Sequence, residues 1–126
     1  MISPDLQYTV LCDDVRREDN GKLMALGIFE HIGAPVFPFI HPRLCILNKW
    51  CNGEGNWTQQ TRIVDEDDQV LIQNDPVKFS LETLESHFLA VQIFGNIQIP
   101  HAGRIWIEVL LNGELKQRYV LQVSQS

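Results

Sequence analysis

From Gly103 to Val123 the chain reads GRIWIEVLLNGELKQRYVLQV, and on both sides of its Asn-Gly pair the apolar side chains fall on odd positions. Successive side chains of a strand point to opposite faces. Ile105, Ile107, Val109 and Leu111 therefore share one face, and Leu115, Tyr119, Leu121 and Val123 form the matching set, interrupted by Gln117. Directly opposed residues of an antiparallel pair also share a face, and a one-residue slip turns the whole set over. A two-residue turn at Asn112-Gly113 would set Val109 against Lys116 and Ile107 against Arg118. A loop of about three residues, with Gly113 in the left-handed region, sets Val109 against Leu115 and Ile105 against Tyr119. It also sets Glu108 against Lys116 and Trp106 beside Arg118. The spacing predicts a bulged turn in place of the tight one.

Strand periodicity runs through the rest of the chain. The pattern predicts strands at 6–12, 23–32, 43–51, 57–65, 70–72, 77–81 and 87–99 ahead of the hairpin. Segment 23–32 is apolar on both sides and reads as a central strand. In 87–99 the apolar face is read as Leu89, Val91, Ile93, Ile97 and Ile99, with a bend at Gly95. No convincing helix interrupts the series. The expectation is all-β: one domain over 1–126, an antiparallel β-sandwich of eight or nine strands, immunoglobulin-like or jelly-roll-like.

At 126 residues, 44% hydrophobic and 21% charged, the composition is that of an ordinary globular domain with room for a core. A net charge of −6 argues against nucleic acid or an anionic membrane as partner, because both need a basic footprint. No apolar run approaches the roughly 20 residues of a membrane helix, and the acidic start lacks the form of a signal peptide. Cys12, Cys45 and Cys51 are odd in number and lack metal-type spacing. The expectation is a cytoplasmic protein with inert cysteines.

The segments YTVLCDDVRREDNGKLMALGIFEHI, PRLCILNKW and HAGRIWIEVLLNGEL carry a pattern. Cys12-Asp13-Asp14 ends a strand, Gly21-Lys22 leads into Gly27–Glu30, Pro42–Leu44 opens another strand, and Gly103–Glu114 closes. This pattern resembles an uncharacterised bacterial family of short stand-alone proteins with no assigned activity. The resemblance implies a small stand-alone protein and carries over no chemistry.

The acidic groups at 13–19 and 65–68 invite a calcium reading, but strict alternation of loops would place them at opposite ends of the sandwich. His31, His41, His87 and His101 lack paired-ligand spacing. No nucleophile elbow, phosphate loop or dinucleotide fingerprint occurs. The expectations are no catalytic residue, no cofactor and no metal. Segment GAPVFPFIHP carries Phe37, Phe39 and His41, which are either anchors for a partner or a cap on the core. Trp106 and Arg118 form a second candidate surface. The reading is a non-catalytic module acting through a protein partner or as a homo-oligomer. The alternative is a small-ligand or carbohydrate module, or a metal-dependent barrel enzyme, using the PHAG and NGEGN loops near Trp57, His101 and Asp14.

Overall fold

The computed structural model describes residues 1–126 as ten strands without a helix. In chain order these are β1 (Asp5–Arg17), β2 (Leu23–Ile28), β3 (His31–Ala34), β4 (Phe39–Cys51), β5 (Gly55–Val64), β6 (Val70–Gln73), β7 (Val77–Leu81), β8 (Phe88–Ile99), β9 (Gly103–Leu111) and β10 (Glu114–Gln125). They form two sheets. The first has the order β2-β1-β4-β8, and the second β3-β10-β9-β5-β6, with β7 also on β5. No helix is long and apolar enough to cross a membrane.

The sheets face each other across one apolar layer, as a sandwich requires of strands with one buried face. Leu11, Leu44, Ile46 and Phe94 from the first sheet meet Ile63, Ile105, Ile107, Leu121 and Val123 from the second. A smaller cluster fills one end, where Phe79 lies between Trp50 (centroids 6.0 Å apart) and Phe88 (4.6 Å). Between the two clusters the core is polar. Asn48 Nδ2 donates to Thr61 Oγ1 (2.8 Å) and Gln59 Oε1 (3.2 Å), Gln59 Nε2 to Gln92 Oε1 (3.3 Å), and Gln92 Nε2 to the Ile46 carbonyl (3.2 Å). These bonds tie β4 and β8 to β5 across the interior. The bonding discharges most of the cost of burying four polar side chains.

The structure corrects several expectations. The hairpin turn is tight after all: Leu111 pairs with Glu114, and Asn112 (φ 49) and Gly113 (φ 79) both lie in the left-handed region. The slip is repaired further in, by a bulge between Leu115 and Gln117 that pairs Ile107 with Tyr119, Ile105 with Leu121 and Glu108 with Arg118. Parity had to be restored, and a bulge at Lys116 restores it without giving up the favoured Asn-Gly turn.

Segment 23–32 is two edge strands instead of one central strand. The Phe29 amide donates to the Leu11 carbonyl in the first sheet, and the Gln122 amide of the second donates to the Glu30 carbonyl. The chain changes sheets between these two residues, and β3 then runs parallel to β10. That crossing halfway along upsets strict alternation of loops. The 18–22, 65–69 and 100–102 loops therefore share one end, and 52–54 lies at the other. Both acidic segments lie toward the same end, yet no group of three or more metal-ligating side chains assembles.

Candidate interaction face

The register of the first sheet places its outward residues in rows, because opposed residues share a face. Ile28, Cys12, Cys45 and Ile93 form one row across β2, β1, β4 and β8. Val10, Leu47 and Val91 form the next, followed by Tyr8, Lys49 and Leu89. Cys12, Cys45 and Leu47 cluster apart from the main core, with Val10 and Leu89 packed against them. The thiols are buried, whereas the row ends stand out: Ile28 is 66% exposed, Ile93 59% and Val91 42%. The middle of the row is covered, so the open apolar surface lies at its two ends, on β2 and β8.

Two features of β8 build this face. Asn96 takes φ 50 at the predicted bend, and the face of the strand changes there. Ala90, Gln92 and Phe94 point inward before it, and Ile97 and Ile99 after it. Of the expected apolar set, Ile97 and Ile99 face the core, whereas Leu89, Val91 and Ile93 lie outside. On β4 the run Leu44–Asn48 is buried on both faces, and a continuous apolar run in sequence is the mark of a strand with two apolar sides.

The rim of this face carries charges of both signs, with Asp5 opposite Cys51 at one end. Arg16 and Arg43 both bond Asp14, at 3.0 and 2.8 Å, and Lys49 Nζ lies 5.9 Å from the Tyr8 ring centre. The hydrogen bond from Arg16 is the first cause that holds the Asp14 carboxyl below the usual carboxylate range, with the Val15 amide next. Burial, and then neighbouring Cys45, push the Cys12 thiol up, the reverse of what activates a nucleophile. All three cysteines are free and buried.

The outer face of the second sheet is built differently. Glu108 accepts from Arg62 Nε (2.6 Å) and Arg118 Nε (3.1 Å) along the paired row of β5, β9 and β10. Arg118 also reaches Asp68 (3.7 Å) and stacks 4.1 Å from the centre of the Trp106 ring. Glu66 accepts from the Arg104 amide, the largest cause of its lowered pKa. Charge and indole are satisfied within the sheet, so Trp106 and Arg118 do come together, as a closed ladder.

Phe37 and Phe39 pack against the main core and cap it, following a cis Phe37-Pro38 bond, while their neighbours Val36 and Ile40 are exposed. His41 sits between Phe29 and Phe39, centroids 6.1 and 6.2 Å away, in a cleft of about 350 Å³ that Asp13 and His31 also line. Burial pushes its imidazole below the ordinary 6.5. Trp57 lies near the 52–54 end, its indole N–H donating to the Glu54 carbonyl (3.0 Å), far from His101 at the other end. Trp57, His101 and Asp14 therefore do not converge.

A family model described as "Family of unknown function (DUF6941)" matches residues 7–124. No curated protein matches the chain.

Proposed function

The chain belongs to the DUF6941 family, and since that description carries no activity, we propose from the geometry that it is a non-catalytic binding module whose contact surface is the outer face of β2-β1-β4-β8. The observation that carries this reading is the row Ile28–Cys12–Cys45–Ile93, with its ends open to solvent and Val10, Leu47 and Val91 beside it. A contiguous apolar patch rimmed by polar groups marks a contact surface. The other sheet's outer side carries the ion-paired row Arg62–Glu108–Arg118, with Leu115 and Val120 the exposed aliphatic residues of β10 beside it. The proposal places the protein in a reducing compartment, supported by its three free thiols.

The test is in-cell cross-linking of the tagged chain, followed by identification of the cross-linked protein. The paired change Ile28→Lys with Ile93→Lys is expected to abolish the contact, and Glu114→Lys on the opposite sheet to preserve it. Equal retention by both variants would sink the proposal.

A further inference from the structure

The binding-face reading, on which this inference rests, says where a partner lies, and the free edge beside that face says which partner. β8 pairs with β4 alone, and no backbone hydrogen bond outside the ladders involves residues 88–99. One edge of a 12-residue strand therefore presents unpaired amides and carbonyls. Its sequence, FLAVQIFGNIQI, holds no charged residue and no proline.

Proteins guard sheet edges with short strands, charge, proline or a kink. The other edges here follow that rule. β3 and β6 have four residues each, β7 has five including Lys78, and β2 has six with Gly27 at φ 69. β8 is the exception, since Asn96 kinks only its far part and residues 88–94 run straight.

We propose that two copies of the chain pair antiparallel through β8 about a twofold axis near Gln92, joining their four-stranded sheets edge to edge. Antiparallel pairing of identical strands is self-complementary and closes on itself. It aligns Val91 and Ile93 of both copies on the outer face, where they partly shield one another, and leaves Ile28 open at the far edge. Charge favours this edge. Copies of a chain with net charge −6 repel, yet β8 is uncharged, and the face beside it carries Arg16, Arg43 and Lys49 with the acids Asp14 and Asp5. With the axis near Gln92, the start of the second copy's β8 lies beside Gly95. A foreign peptide would need pockets for its side chains, and residues 88–94 line no cavity.

Sedimentation equilibrium on the full chain, from roughly 1 to 100 µM to span ordinary interface affinities, tests the pairing. The expected mass is twice 14.5 kDa for the native chain and for Ile28→Lys. For Ile93→Lys the expected mass is that of one copy, with an unchanged circular dichroism spectrum. Hydrogen exchange on the native chain needs no variant: β8 amides should gain protection as concentration rises through the transition. A native monomer, a dimer in which β8 gains no protection, or a folded Ile93→Lys dimer would each overturn the pairing. A native monomer whose cellular cross-link is still lost with Ile28→Lys and Ile93→Lys would overturn self-pairing alone. If that cross-link also survives both changes, the binding face falls with it.

Discussion

Glu108 shows how the second sheet closes its outer side. Its carboxylate is buried and accepts from Arg62 and Arg118, whose guanidiniums are partly exposed. Exposed pairs contribute under about 1 kcal/mol and breaking buried ones costs about 3–5, so Glu108→Ala should cost about 1–2 kcal/mol in urea unfolding. Loss of less than a few tenths would mean that the ladder is decoration. His41 gives a pH prediction. Its folded-state pKa lies below 6.5, chiefly from burial, with the Asp13 charge pulling the other way. Its neutral form is thus favoured on folding, so its contribution is full above 6.5 and is lost as pH falls through the folded value. His41→Gln should therefore flatten the fall in melting temperature between about pH 7.5 and 5.5. An unchanged slope would place the acid sensitivity elsewhere. Phe37, Phe39, Trp106 and Arg118 were all legible as unusual residues. Their burial was not, because exposure depends on what packs above them.

At the scale of the strand, glycines at positive φ decide where the chain turns. Gly113 at φ 79 has open space around it, so Gly113→Ala costs only backbone strain, about 1 kcal/mol. Gly27 at φ 69 would in addition drive a methyl group into the Asp13 carboxylate. Gly27→Ala should therefore destabilise more than Gly113→Ala in thermal melts, and the reverse order would refute the account of the β2 kink. In the core, Gln92→Leu would leave Gln59 Nε2 without a partner, at about 1–3 kcal/mol in urea unfolding. Strand positions were readable from period-two patterning, and the hairpin's need for a parity correction was readable as well. The place of that correction was not, since bulges at Lys116 and inside the turn restore the same parity, though they set the partners two residues apart. The sheet change at Phe29–Glu30 left no mark either, because an apolar run looks the same whether it stays in one sheet or crosses to the other.

For the whole molecule, the two outer faces differ: one sheet carries an ion-paired row, and the other leaves Ile28, Val91 and Ile93 open on its edge strands. If the open face carries a β8-paired dimer, the melting temperature should rise with protein concentration by mass action. The rise should persist in high salt, because the paired edge is uncharged. A concentration-independent melt would argue for a stable lone chain. By itself the sequence determined the strand class, the sandwich and the absence of charge in β8. All of these follow from side-chain alternation and composition, which act locally. The tertiary structure alone decided which side of each strand meets the other sheet. It decided that Val91 and Ile93 face out, that both acidic segments lie toward one end, and which edge was left unpaired. These depend on a left-handed residue at Asn96, a crossing at Phe29–Glu30 and the strand order. Each is a long-range choice among registers that nearest-neighbour patterns leave almost equal in energy.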